Sequence, residues 1–236
     1  MNLIIDFGNT STKAAVFEED TMQQLWTDAR LEDLVKKSRD YDVDNIFVST
    51  VSVAKKDIAQ AFDQEVGFLS HETPVPFKNN YTTKETLGLD RIAAVAGATM
   101  YCDNQHCLII DIGTCITYDF LSSDLVYEGG SISPGLDMRF RALHELTAGL
   151  PLVSFDPDSP LIGKSTRTSI TSGVLFGMEG EMQEMIRRYT TDFENLKTIL
   201  CGGGAKFFEN RLKGAIFAAP ELVLRGLNRI LRYDAS

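Results

Sequence analysis

Two stretches of the chain are near copies of one another. Leu3-Ile4-Ile5-Asp6-Phe7-Gly8-Asn9-Thr10 lines up with Leu108-Ile109-Ile110-Asp111-Ile112-Gly113-Thr114, about 105 residues further on. Each is an apolar run ending in Asp, then a spacer, a glycine and a hydroxyl or amide residue before another run with strand character. A single Asp-x-Gly turn is ordinary. Two that share the same preceding strand point to an internal repeat, which has to be recognised before any fold is assigned. Two α/β halves facing each other would set the two turns across one cleft. The length, 236 residues, is neutral here, because at ~150 residues per domain it decides between neither one large domain nor two small ones. The grammar restarts at Cys107, so the halves are expected over 1–104 and 105–236.

The pattern along each half has the same order. Residues 2–6, 11–18 and 22–27 have the apolar or alternating character of strands, with a Gly-centred turn between the first two. A helix is expected over 29–39, a strand over 44–49 and an amphipathic helix over 53–68 with Ile58, Ala61 and Phe62 on its apolar stripe. A Pro-marked loop, 74–87, leads to a helix from about Asp90 to Tyr101. In the second half, strands are expected over 107–111, 115–121 and 125–132, and a helix over 136–147. After a Pro-rich loop come helix 166–189, strand 197–201, a short helix, strand 214–217 and a last helix, 219–232. In helix 166–189, Ile170, Val174, Leu175, Met178 and Met182 form a stripe at helical spacing. That face either packs on its own domain or is shared with a two-fold interface.

Composition narrows the function classes. Lys and Arg number 23 against 33 Asp and Glu, a formal net charge of −10. Such a surface repels phosphate backbones on average, so nucleic acid is not an expected partner. ATP still is, provided backbone N–H groups and a cation handle its phosphates locally. No run approaches the ~18 apolar residues of a membrane span, and the apolar opening is broken at once by Asp6, so neither membrane nor secretion is expected. Cys102, Cys107, Cys115 and Cys201 are irregularly spaced and are read as reduced thiols in a cytoplasmic protein. His71, His106 and His144 have no metal or triad spacing and are read as structural.

Three carboxylates stand out. Asp6 and Asp111 end strongly apolar strands, where a bare charge is costly. A cation would relieve that cost, and so would backbone N–H donors in the turn. The stretch Asp6-Phe7-Gly8-Asn9-Thr10-Ser11-Thr12-Lys13 has the makings of a phosphate cradle: a glycine for close approach, then hydroxyls, an amide and exposed N–H groups. It is not a P-loop, and no Gly-x-Gly-x-x-Gly lies between a strand and a helix. Gly202-Gly203-Gly204 is open to two readings, a surface for a flat adenine or ribose and a simple tight turn. The third carboxylate, Asp90, lies in Gly88-Leu89-Asp90-Arg91 at a helix start, where the dipole favours anions and Arg91 could grip one with its fork.

With these residues in place, the chain resembles the type III pantothenate kinases along nearly its whole length. The resemblance is carried by Asp6–Lys13, Tyr81 through Gly88-Leu89-Asp90-Arg91, Asp111-Ile112-Gly113-Thr114 and Gly129-Gly130-Ser131-Ile132-Ser133-Pro134-Gly135. Ser165-Thr166, Ser169–Gly173 and Leu222–Leu227 extend it. It implies an α/β fold of two similar ribonuclease H-like halves, the actin-like ATPase fold, each a mixed sheet flanked by helices. It implies ATP-dependent phosphorylation of pantothenate to 4′-phosphopantothenate. Asp6, Phe7, Gly8, Asn9, Thr10, Ser11, Thr12 and Lys13 would bind the ATP phosphates, Asp6 would help hold Mg²⁺, and Thr114 would touch ATP. Asp90 would accept the proton of the pantothenate hydroxyl. Tyr81, Gly88, Leu89, Asp90, Arg91 and Thr166 would contact pantothenate. Asp111 would ligate a monovalent cation, K⁺ or NH₄⁺. A homodimer is implied, with Thr166 reaching the partner subunit's pocket. Cys115-Ile116 and Lys84 depart from the family's usual residues without touching a functional group. Another phosphotransferase of the superfamily, and a non-catalytic protein that kept the fold, are the alternatives; the latter sits poorly with three intact carboxylates.

Overall fold

In the structure, a computed structural model that describes residues 1–234, the repeat in the sequence becomes a repeat of topology. Strands β1 (Asn2–Phe7), β2 (Thr12–Glu18) and β3 (Thr21–Thr27) make an antiparallel meander. Helix α1 (Leu31–Ser38) leads to β4 (Asn45–Thr50), parallel to β1, and α2 (Lys55–Ala61) to β5 (Val66–Phe68), parallel to β4. The order is β3-β2-β1-β4-β5. After β6 (Lys78–Asn79) and α3 (Leu89–Ala98) come β7 (His106–Ile112), β8 (Cys115–Leu121) and β9 (Val126–Pro134). Helices α4 (Leu136–Glu145) and α5 (Thr166–Asp192), β10 (Leu196–Cys201), α6 (Ala205–Glu209), β11 (Ile216–Ala218) and α7 (Leu222–Asp234) follow. The second sheet runs β11-β10-β7-β8-β9-β6. Read from β9, its first five strands take the same order as those of the first sheet, with β6 added at the edge.

The chain resolves into two compact units, and neither is one continuous segment. Among the described residues, unit 1 is Met1–Asp103, Leu121–Gly129 and 221–234; unit 2 is Asn104–Phe120 and Gly130–Pro220. Segments 121–129 and 221–234 thus pack in unit 1 although most of the chain around them lies in unit 2. For α7 the reason is its apolar face. Leu222, Leu224, Leu227 and Ile230 are fully buried, and the helix lies on α3, β1, β2 and β4. A Cβ on Gly226 would overlap the carbonyl oxygen of Ala93, and one on Gly97 that of Leu222. The two helix backbones thus touch with no side chain between them.

Alternation sorts β1 between two faces. Leu3, Ile5 and Phe7 join Ala14, Val16, Ile46 and Val48 in a core closed by Leu34 of α1 and Ile58 of α2. Ile4 and Asp6 belong to the opposite face. In unit 2, Leu108, Ile110 and Ile112 of β7 pack with Leu175, Met178, Met182 and Ile186 of α5 and with Phe208 of α6. Ile170 and Val174 close a smaller cluster with Phe140 and Val153. The whole stripe of α5 is therefore buried in its own unit. Gly173, Gly177 and Gly180 of the same helix face open space.

Two further expectations change. The helix expected over 53–68 stops at Ala61, and Val66–Phe68 forms β5 instead. Ile58, Phe62 and Val66 all reach one core; their four-residue spacing mimics a continuous helix, although Phe62 is already extended. Cys102 and Cys107 are disulfide-bonded rather than reduced, and Cys115 and Cys201 stand outside that bridge. The turn between the first two holds Asp103 and Asn104 in the left-handed region (φ 38° and 62°), which folds the chain back on itself. Among the described residues no helix is long and apolar enough to cross a membrane.

Candidate active site

In unit 1 the β1–β2 register places Asp6 opposite Lys13 and Phe7 opposite Thr12. The turn between them closes through Gly8 N–H donating to Ser11 O at 3.2 Å. A Cβ on Gly8 would stand 3.1 Å from that oxygen, so the turn is tightest there. Asn9, Thr10 and Ser11 are left exposed. The turn borders a depression of about 450 Å³ whose walls also include Asp28, Arg30, Ser52 and Val53. Ser52 Oγ donates to Phe7 O at 3.3 Å, and Val51 N–H to the same oxygen at 3.0 Å. The segment after β4 thus holds the base of the turn.

Asp6 is the electrostatic centre of this unit. Burial raises its carboxyl from the ordinary 3.8 to about 6; the Ser49 hydroxyl and Lys13 oppose the rise, and the negative charge of Asp90 adds to it. Ser49 is level with Asp6 in the β1–β4 register and only 2% exposed. Asp90 sits in the first turn of α3, where its Oδ1 accepts from Arg91 N–H at 2.8 Å. Arg91 is buried, its guanidinium 5.6 Å from the centre of the Tyr81 ring. Tyr81 in turn stacks on Tyr127 with centroids 6.1 Å apart. Gly129, at φ 108°, keeps its α-carbon clear beside the Tyr81 ring. One unit therefore brings together Asp6, Lys13 and Asp90, with Arg91 and Tyr81 on the same helix start and its neighbouring loop.

Unit 2 carries the second turn. Gly113 N–H donates to Cys115 O at 2.9 Å, and Gly113 and Thr114 are exposed. Asp111, next to last in β7, lies against Gly202, which is held at φ 80° and has no room for a Cβ beside the Asp111 carboxylate. Gly204 packs on the Ile112 side chain, while Gly203 faces open space. Two of the three glycines are thus explained by packing on the end of β7, which favours the tight-turn reading of that motif. Thr166, the first residue of α5, is exposed. Its neighbours do the capping: Ser165 Oγ accepts from Thr168 N–H at 3.2 Å, and Thr168 Oγ1 from Ser165 N–H at 2.9 Å.

Sequence reasoning missed Ser49, Tyr127 and Arg30. A serine ending the run Ile46-Phe47-Val48 was visible, but its partner follows from strand register rather than from spacing. Tyr127 reaches Tyr81 across 46 residues of chain, and nothing local marks it. No group of three or more His, Cys, Asp or Glu side chains among the described residues could hold a metal ion. The charge of Asp90 adds to the cost of ionising Asp6, and a divalent cation, which takes carboxylate, phosphate and water oxygens, would relieve that cost.

Known proteins fall in with this arrangement. A solved structure described as a Baf family transcriptional activator, from Campylobacter jejuni, superposes with a TM-score of 0.62 at 20% identity, covering 99% of this chain and 98% of that one. Glucokinase from Balamuthia mandrillaris superposes at 0.55 and 10% identity, over 98% and 93%. At such identities the likeness concerns the fold, which is the duplicated ribonuclease H-like fold of the sugar kinases and actin-like ATPases. The profile of one family within it, type III pantothenate kinase, matches residues 2–188. The type III pantothenate kinase of Cytophaga hutchinsonii is 42% identical over 234 residues, 99% of this chain and 100% of that relative. The chain belongs to the type III pantothenate kinase family.

Proposed function

We infer that this chain transfers the γ-phosphoryl group of ATP to the primary hydroxyl of pantothenate, giving 4′-phosphopantothenate and ADP. The observation that carries this reading is the meeting of Asp6 and Asp90 in one unit, with buried Arg91 beside Tyr81. Residues 6–13 would receive the phosphates, the exposed hydroxyls and N–H groups of Asn9–Ser11 and the Lys13 ammonium supplying donors. Asp6 would hold the divalent cation that accompanies ATP. When bound, that ion neutralises charge developing on the phosphoryl oxygens. Asp90 lies within the field of Asp6 and would face the acceptor hydroxyl. As the hydroxyl oxygen bonds to phosphorus and the bond to the ADP oxygen breaks, the hydroxyl proton passes to Asp90. The transfer is late, because an alcohol is a weak acid. Arg91 would pair with the pantothenate carboxylate, and Tyr81, Gly88 and Leu89 would shape the pocket around it.

Unit 2 would add Thr114 as an ATP contact and Asp111 as ligand of a monovalent cation, K⁺ or NH₄⁺. The active species would be a cytoplasmic homodimer in which Thr166 serves the partner subunit's site. The open glycine face of α5 and the exposed Leu146, Leu152, Leu161 and Ile162 are apolar and small enough to meet a second copy.

The test is ATP- and Mg²⁺-dependent phosphorylation of pantothenate by the purified protein, in K⁺ and again in Na⁺. Turnover in K⁺ and its marked loss in Na⁺ are expected. Asp90→Asn should lower kcat by about 10²–10⁴ with an unchanged circular dichroism spectrum. Phosphorylation of a different alcohol in preference to pantothenate would overturn the substrate assignment. Equal rates in the two salts would remove the monovalent ion.

A further inference from the structure

The stretch Gly129–Gly135 belongs to the family resemblance, yet most of it has no part in the proposed reaction. It forms the end of β9 and the junction with α4, and that junction is pinned on two sides. On one side, Gly135 N–H donates to Thr114 O at 3.1 Å, and a Cβ on Gly135 would overlap the carbonyl oxygens of Gly113 and Thr114. On the other side stands Arg139, one turn into α4. Its Nε donates to Pro134 O at 2.8 Å and its Nη2 to Ser133 Oγ at 3.0 Å. The same Nη2 meets Glu181 Oε2, from the middle of α5, at 2.5 Å. Glu181 Oε1 accepts from the hydroxyl of Tyr118, on β8, at 2.8 Å.

These groups are mostly out of water. The Arg139 and Glu181 side chains are 20% and 30% exposed, and Tyr118 is 1% exposed. Burial pushes the Glu181 carboxyl up, but hydrogen bonds from Arg139, Tyr118 and Ser133 outweigh it and hold the group below the ordinary carboxylate range. The ion pair is therefore intact at neutral pH. A partly buried pair of this kind adds little net stability over an apolar contact. What it adds is geometry, since a planar guanidinium with three partners fixes each of them in direction as well as distance.

We propose that Arg139, Glu181 and Tyr118 are positioning residues, a polar clamp that presses Ser133–Gly135 onto the Gly113–Thr114 turn and so sets that turn for ATP. This rests on the assignment of Thr114 as an ATP contact. The clamp's partners Ser133 and Pro134 adjoin Gly135, which is bonded to the Gly113–Thr114 turn, so its influence is expected on the nucleotide rather than on pantothenate. Lysine in place of Arg139 keeps the charge but loses the fork, so it restores the clamp only in part.

The experiment compares the wild type with Arg139→Met, Arg139→Lys and Tyr118→Phe, each assayed well below its own Tm with ATP and pantothenate varied separately. In Arg139→Met the KM for ATP should rise about ten-fold or more while the KM for pantothenate stays within about two-fold. Arg139→Lys and Tyr118→Phe should give smaller rises in the same direction. Calorimetric titration with a non-hydrolysable ATP analogue and Mg²⁺ should show the same order without turnover. A merely structural role would lower Tm and the active fraction, hence kcat, and leave both KM values where they were; that result overturns the proposal. If Arg139→Met does not fold, Arg139→Lys and Tyr118→Phe decide by the same criterion. A wild type that binds the analogue but leaves pantothenate untouched counts against the substrate reading, and the clamp is then judged on analogue binding alone.

Discussion

Asp6 shows how one side chain can work against the fold that carries it. Its carboxyl is raised from 3.8 to about 6 by burial first, with Asp90 adding to the rise. Between about pH 4 and 6 the folded chain therefore holds a proton that the unfolded chain has released. Stability falls as pH rises through that window, and the whole penalty is present above it. Asp6→Asn keeps an acceptor for Ser49 and removes the charge. It should stabilise the protein by about 1–3 kcal/mol at pH 7.5 and by nothing measurable below pH 4, while phosphoryl transfer is lost. Urea melts at the two pH values, without Mg²⁺, check this; equal midpoints at pH 7.5 would show that the carboxylate is not strained. The residues of this site that sequence could identify are those in local motifs: Asp6 at a strand end, and Asp90 and Arg91 at a helix start. Ser49 and Tyr127 act through strand register and long-range stacking, for which spacing carries no sign.

Among the elements, α3 and α7 make the least forgiving contact. Gly226 lies against the backbone of Ala93 and Gly97 against that of Leu222, so even a methyl group must separate the helices. Gly226→Ala should cost ~3 kcal/mol, read as a lower denaturation midpoint with little change in KM for either substrate. A midpoint equal to the wild type's would mean that the helices can slide apart freely. Periodicity located most elements within a few residues, because β1, β7 and α3 carry apolar runs buried on both sides. It failed over 53–68, where a strand took the place of the last helical turns without changing which side chains face inward. For α5 it identified the apolar stripe correctly but could not say whether that stripe meets its own core or a second copy; Leu175, Met178 and Met182 are in the core.

For the whole molecule, the subunit-sharing proposal makes a quantitative demand. An Asp90→Asn subunit and a Thr166→Arg subunit are each expected to be inactive. In a mixed dimer one site would carry both lesions and the other neither, so random exchange should restore about a quarter of wild-type activity. A mixture as inactive as its parents, with exchange demonstrated by native mass spectrometry, would place Thr166 in its own chain's site or in none. The repeat of Asp6-Phe7-Gly8 and Asp111-Ile112-Gly113 announced the duplicated topology, since both copies end a central strand of their sheets. It could not announce the interleaving, because no local pattern says that 221–234 returns to the unit begun at residue 1. That return bears on how the chain acquires its structure. Until α7 is available, the Ala93–Gly97 face of α3 is bare and the carbonyl of Glu19 lacks the Asn228 amide that donates to it at 2.8 Å. The contact that closes unit 1 thus spans more than 120 residues of chain, and such distant closures are slow. On a ribosome, the half that is translated first waits with an open apolar groove until the final helix has left the exit tunnel.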